Sequence, residues 1–360
     1  MSNGNTPQLT PAELAPVVVR AIQEKLPLII SGPPGAGKTA LIKTAADDAG
    51  ADLMITHAVT ASPVDAKGMP SISADRQSAE FLPFGDIKRA MEQPADVPLV
   101  WFLDDFGQAT EAVQASFMQL ILGRRINGHA ISEAVTFMVA TNRREDKAGV
   151  RSILEPVKSR FVSIVEMVPD MAWWIRWAAA TLPATEHTEQ ILAFLQWRPE
   201  SFFDHSPTSD LVNSPAPRTW QHCSDVLEAF GPICEPATLK SLVAGAIGPE
   251  HGGYFFAFKN LAATLPNPDD VIANPDLLDI AGSEMPSLYA TVTAVGMRAN
   301  AGNFDGIAKL ADRLTAADRG EFAALLVDQA LQRDEGIAHV PSYHTMMAGK
   351  VGDVINGGVK

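Results

Sequence analysis

The chain has 360 residues, 46% of them hydrophobic, enough to bury real cores and to form two or three domains. Lys and Arg number 28 against 42 Asp and Glu, and the resulting charge of −14 disfavours wholesale nucleic-acid binding, because neutralising phosphates needs clustered Lys and Arg. Two cysteines, Cys223 and Cys234, exclude a disulfide framework and point to a reducing, cytoplasmic setting.

The leader Met1–Pro7 lacks the basic and apolar regions of a secretion signal. Pro11–Leu26 has helical spacing through Leu14, Val18, Val19 and Ile22. Leu28-Ile29-Ile30-Ser31 then reads as an apolar strand, followed by Gly32-Pro33-Pro34-Gly35-Ala36-Gly37-Lys38-Thr39 and a helix from Thr39 that carries Ala40, Leu41 and Ile42. Gly32 to Thr39 is a complete phosphate-binding loop. Its glycines let consecutive N–H groups curl inward onto phosphates; Lys38 sets a point charge against the β and γ oxygens, and the Thr39 hydroxyl takes one Mg²⁺ position. With Ala40 at the helix start, these residues are the candidate contacts of a nucleoside triphosphate.

Four further apolar runs predict strands at Leu53–Thr56, Leu99–Leu103, Val135–Ala140 and Phe161–Val165. Continuous apolar runs, rather than alternation, indicate strands covered on both faces, hence a five-stranded parallel sheet flanked by helices. Ligands of such sheets sit beyond the carboxyl ends of the strands. The Leu99–Leu103 run delivers Asp104 and Asp105 there: Asp104 is placed for the Mg²⁺ shell, and Asp105 for an attacking water, as general base or water positioner. Asn142 ends the next strand, either to orient water or as a common strand terminator. Arg160, in Ser159-Arg160-Phe161, lies away from its own phosphate loop; it is either a surface ion pair or an arginine inserted into a neighbouring subunit's site.

Arg124, Arg125, Arg143, Arg144, Lys147, Arg151, Lys158 and Arg160 crowd one part of this acidic chain, as a solvated surface or as a face meeting triphosphate or an acidic neighbour. Asn127-Gly128 is a strong hairpin signal. Phe81 and Phe84 lie on a loop, exposed to a pore or partner or else tucked onto the core. After Pro169 the strand pattern stops. Met171–Leu182, with Arg176 inside it, is too short to span a bilayer, and Trp173, Trp174 and Trp177 there pack a helix against a neighbour. Residues 197–217 read as a loop, Ser214–Trp220 starts a helix with Arg218 near its first turn, and Leu265–Asp270 is a linker before an Ala-rich helical end. His57, His129 and His251 have no metal-ligand spacing.

In order and approximate spacing, Gly32–Thr39, Leu99–Asp105, Asn142, Ser159-Arg160-Phe161 and Ser214–Trp220 resemble an AAA+ ATPase, most of all the MoxR-like branch with its dynein-related relatives. The resemblance is strong over residues 26–168, fair over 169–230 and vague beyond. It implies a P-loop AAA+ core over residues 1–168, an all-α lid over 169–262 and a helical extension over 263–360. It further implies Walker A at 32–39, Walker B at 99–105, sensor 1 at Asn142, an arginine finger at Arg160 and sensor 2 at Arg218. Thr39 and Asp104 are then the Mg²⁺ residues and ATP the nucleotide, bound between subunits of a homo-hexameric ring. Ala61–Pro70 and Ser78–Gly85 resemble family insertions, and a hairpin such as Arg124–His129 often precedes the sensor 1 strand in the family.

Two departures stand out. Most of the family has glutamate where this chain has Asp105, which bears on water placement and turnover. Arg151 and Arg124 also compete with Arg160 as the trans-acting arginine. The resemblance implies a chaperone that remodels a client protein, with an adaptor carrying a von Willebrand factor A domain. The competing readings are a nucleic-acid motor or loader, as in phage or DNA-restriction systems, and a nucleotide-gated scaffold that barely hydrolyses ATP.

Overall fold

A computed structural model describes residues 6–73, 76–146, 149–151, 153–204 and 210–357. The chain divides into two compact units, the first ending at Asp170 and the second beginning at Met171.

In the first unit, β1 (Gln8–Leu9), α1 (Pro11–Gln23), β2 (Leu28–Ser31), α2 (Lys38–Asp48), β3 (Asp52–His57), α3 (Pro63–Lys67), β4 (Met69–Ile72), β5 (Ala79–Leu82) and α4 (Gly85–Glu92) come first. Then follow β6 (Leu99–Asp104), α5 (Glu111–Gly123), β7 (Arg125–Ile126), β8 (His129–Ala130), β9 (Val135–Thr141), α6 (Glu155–Lys158) and β10 (Ser163–Met167). The main sheet is parallel, in the order β1-β10-β2-β9-β6-β3. It has six strands, not the five expected. The sixth is β1, whose two residues pair with Glu166 and Met167; a strand that short carries no readable periodicity.

The apolar strands are continuous because both faces are covered. On one face, Trp101, Leu103, Phe137 and Val139 pack with Phe106, Phe117 and Leu120. On the other, Val100, Phe102, Met138 and Ala140 pack with Leu14, Val18, Leu41 and Ile42. The two-residue repeat of a strand sends neighbours in sequence to opposite cores. Trp101 stacks on Phe137 and donates its indole N–H to the Thr56 hydroxyl at 2.9 Å, so its polar atom is not stranded. The edge strand β3 departs from the expected double coverage, alternating in burial with Ile55 at the surface. Helix α1 stops at Gln23, short of the expected Leu26. Lys25 adopts the left-handed conformation there, and the Leu26 N–H turns back to the Ala21 carbonyl.

Two antiparallel hairpins interrupt the α/β alternation. In β7–β8, Asn127 and Gly128 both take positive φ, the backbone a tight hairpin turn requires. The β4–β5 hairpin exposes Met69, Ile72, Phe81 and Leu82, whereas Phe84, just beyond it, is half-buried. Phe81 thus matches the exposed alternative and Phe84 only in part.

Among its described residues the second unit is helical, with short 3₁₀ turns: α7 (Met171–Thr181), α8 (Glu186–Trp197), α9 (Pro217–Phe230), α10 (Pro236–Ile247), α11 (Pro249–Ala262) and α12 (Pro268–Ala273), then α13 (Met285–Met297), α14 (Phe304–Ala316), α15 (Gly320–Arg333), α16 (Pro341–Met347) and α17 (Lys350–Gly357). Trp174, Phe194, Trp220, Phe255 and Phe258 centre one core, and Phe304, Leu310, Phe322 and Leu326 another. Trp174 is buried against Phe202, as a packing rather than a membrane role requires. Among the described residues no helix is long and apolar enough to cross a membrane. Of the segments singled out in the sequence, Met1–Asn5, Lys147 and residues 205–209 of the loop before α9 lie outside the described residues.

Candidate functional site

The carboxyl ends of β2, β6 and β9 lie side by side, and each delivers polar residues to the same place. Beyond β2 the loop Gly32–Gly37 turns into α2. Gly35 and Gly37 have φ of 75° and 98°, where a side chain is strained, and a Cβ on Gly32 would lie 2.6 Å from the Met167 carbonyl oxygen. The loop bends as it does because these positions are glycine.

Lys38 opens α2 and is buried, 7% exposed. Its Nζ donates to the carbonyl oxygens of Gly32 at 2.9 Å and Pro33 at 3.0 Å, and to Asn142 Oδ1 at 2.9 Å. Thr39 Oγ1 donates to Asp104 Oδ2 at 2.9 Å, while Asp104 Oδ1 accepts the Asp105 N–H at 3.0 Å. Two hard oxygen donors therefore face each other, one of them a carboxylate largely shielded from water. Mg²⁺ is commonly held by one or two such protein oxygens with substrate phosphates and waters completing its shell, so Thr39 and Asp104 fit it.

Asp105 leaves β6 at φ 54°, a left-handed conformation that Asp adopts more readily than most residues. Its Oδ1 accepts from Asn142 Nδ2 at 3.3 Å and from Gln108 Nε2 at 3.0 Å. The Asn142 amide is thus a bridge, donating to a carboxylate and accepting from an ammonium; only one orientation of the amide satisfies both neighbours. It does more than terminate its strand. Gly107 seats the turn after Asp105, since a Cβ there would lie 2.1 Å from the Thr141 hydroxyl.

The basic crowd seen in sequence resolves into different fates. Arg143 donates to both Asp146 carboxylate oxygens, with Nη2–Oδ1 at 2.7 Å, and pairs with Glu145 and Glu166 at 3.0 and 3.2 Å. The hydrogen bond to Asp146 outweighs desolvation and raises its pKa. Arg124, at φ 48°, gives its guanidinium to the carbonyls of Val135 at 3.0 Å and Ser132 at 2.6 Å, and its burial lowers its pKa. Both therefore brace their own fold. Arg151 is exposed and binds through its backbone N–H to the Gly107 carbonyl.

Arg160 stands elsewhere. The Val162 N–H pairs with the Pro27 carbonyl and Ser163 is in register with Leu28, so Arg160 lies at the amino end of β2, opposite the end that carries Lys38. Its Nη1 donates to Ser159 Oγ at 2.8 Å, and its buried Nε has no hydrogen-bond partner among the described residues. Arg218 belongs to the second unit, where it is the exposed second residue of α9. The first unit thus brings together Lys38, Thr39, Asp104, Asp105 and Asn142, and keeps Arg160 apart. The sequence reading missed Gln108; its one signal was a polar side chain three residues past Asp105, within reach across a tight turn.

Residues 28–168 match the ATPase family associated with various cellular activities (AAA). That segment has the AAA+ P-loop fold. No curated protein matches the chain. Solved structures are similar at low identity. A point mutant of Thermotoga maritima RuvB is 15% identical, with 96% of this chain and 92% of that chain covered, at a TM-score of 0.39. Brucella abortus NtrX in complex with ADP is 13% identical, covering 85% and 68%, at 0.43. A putative ATPase from Cytophaga hutchinsonii is 12% identical, covering 65% and 80%, at 0.33. In this fold the polar cluster lies where strand ends are left open to a ligand.

Proposed function

We propose that the chain is a Mg²⁺-dependent ATPase that assembles into a ring, hexameric by resemblance, and couples hydrolysis at subunit interfaces to remodelling a partner protein. The observation that supports it is the convergence of Lys38, Thr39, Asp104, Asp105 and Asn142 at three adjacent strand ends. Gly32, Pro33, Pro34, Gly35, Ala36, Gly37 and Ala40 complete the nucleotide contacts in this reading. Lys38 exchanges its carbonyl partners for phosphate oxygens. Thr39 and Asp104 hold Mg²⁺, which when bound neutralises charge on the phosphates. Asp105 accepts a proton from the attacking water, and Asn142 orients that water or the γ-phosphate.

Arg160, at the far end of the sheet from Lys38, serves a neighbour's site; loss of the γ-phosphate removes its partner and changes how the copies meet. Arg218 takes the sensor 2 role by resemblance, in a lid over residues 169–262 followed by an extension over 263–360. Membership of the MoxR-like branch, a von Willebrand factor A adaptor and a cytoplasmic setting rest on the resemblance and composition.

Steady-state hydrolysis of Mg·ATP with and without single- and double-stranded DNA tests this reading. DNA-independent turnover is the expected result. Strong stimulation by DNA favours a motor, and tight binding without turnover a nucleotide-gated scaffold.

A further inference from the structure

Asp105 reaches one methylene less far than the glutamate common at its place, so whatever fixes its carboxylate governs where its free oxygen points. Two amides share that task. Asn142 holds Oδ1 from one side at 3.3 Å, and Gln108 holds the same oxygen more closely at 3.0 Å. The Gln108 N–H also bonds the Asp105 carbonyl at 3.0 Å, closing the turn that carries both side chains. The turn itself is pressed onto β9 through Gly107. A carboxylate only accepts, so the Gln108 group facing Asp105 is the NH₂ and its carbonyl oxygen points elsewhere. That oxygen, Oε1, is buried and has no hydrogen-bond partner among the described residues. A buried acceptor left unmade costs stability and calls for a reason in the structure or in function.

We propose that Gln108 is a positioning residue for hydrolysis: by tying back Asp105 Oδ1, it leaves Oδ2 as the oxygen offered to the attacking water. The idea rests on Asp105 being the base, as proposed above. Gln108 and Asn142 hold one oxygen from two elements, the turn after β6 and the end of β9, so the carboxylate cannot rotate without breaking both bonds. An error on the order of 1 Å in such placement costs about 100-fold in rate.

The test compares Gln108→Glu, which keeps the shape and replaces the donor by an acceptor, with Gln108→Met, which keeps the bulk and removes all polarity. Both should bind Mg·ATP within about twofold of the parent while kcat falls at least about tenfold, Gln108→Glu the further because it sets two acids together. Gln108→Asn should recover part of the rate, a rescue that mere filling of space would not produce.

Asp105→Glu, whose longer side chain carries its carboxylate past the amide, should lose less on adding Gln108→Met than the parent does. A folded Gln108→Met protein with unchanged kcat, or equal losses in the parent and Asp105→Glu backgrounds, overturns the proposal. Should one variant not fold, the other decides. Asp105→Asn in parallel separates the two ideas: if it too keeps full turnover, the base is misassigned, whereas if it alone is dead, the base stands and Gln108 does not position it.

Discussion

Lys38→Ala is expected to abolish nucleotide binding, weakening the affinity for Mg·ATP by about 100-fold or more, or roughly 2.7 kcal/mol. Lys38 is buried, and its ammonium is held by two loop carbonyls and the Asn142 side chain. Charge-assisted hydrogen bonds of this kind contribute about 1.5–3 kcal/mol each. When a triphosphate enters, it replaces neutral carbonyl partners with anionic oxygens, so binding gains the difference and the parent chain is pre-shaped for the exchange. Without the lysine nothing offsets the phosphate charge inside the loop. Calorimetric titration and the rise in melting temperature on adding Mg·ATP both report this. A ligand at 100 times its Kd stabilises a fold by about 2.7 kcal/mol, and that increment should vanish in the variant. Retained micromolar affinity would contradict the assignment of the loop.

Asp105→Asn should bind nucleotide normally and stall. The substitution keeps the shape and leaves an oxygen to accept from Gln108 and Asn142, so the turn after β6 persists. The Asn side chain does not take up a proton, and loss of a general base typically costs 10²–10⁴-fold, on the order of 3–5 kcal/mol of barrier. Thr39 and Asp104 are untouched by the change, and Lys38 stays held by its carbonyls until phosphate replaces them. Single-turnover hydrolysis beside equilibrium binding separates the two steps. Unchanged turnover would move the base elsewhere. The same variant with ATP is the form in which a stalled assembly should hold its client for capture.

The site was legible in the sequence where it is local. Lys38 and Thr39 follow their glycines directly, and Asp104 ends an unmistakable apolar strand. What stayed hidden depends on contacts between distant residues or on the geometry of an irregular turn. Asn142 bridges Lys38, 104 residues away, and Asp105, 37 away, so its part is visible only once β9 lies between β2 and β6. Gln108 sits in a turn whose 3₁₀ geometry has no periodic signature. Charge alone did not decide between a solvated surface and a functional face: Arg124 feeds carbonyls and Arg143 an acidic cluster of its own fold. In the sheet, β1 escaped because its two residues owe their conformation to the β10 edge, not to their own pattern.

Whether two copies serve one triphosphate is tested most directly by mixing Lys38→Ala with Arg160→Ala protein. Each alone should be inactive, the first for want of nucleotide and the second for want of the neighbour's arginine. Mixed assemblies should recover a measurable part of the parent's turnover, because a Lys38→Ala copy still presents Arg160 to an intact loop. Co-assembly of the two variants with no recovery, while each folds, would contradict a site shared between subunits.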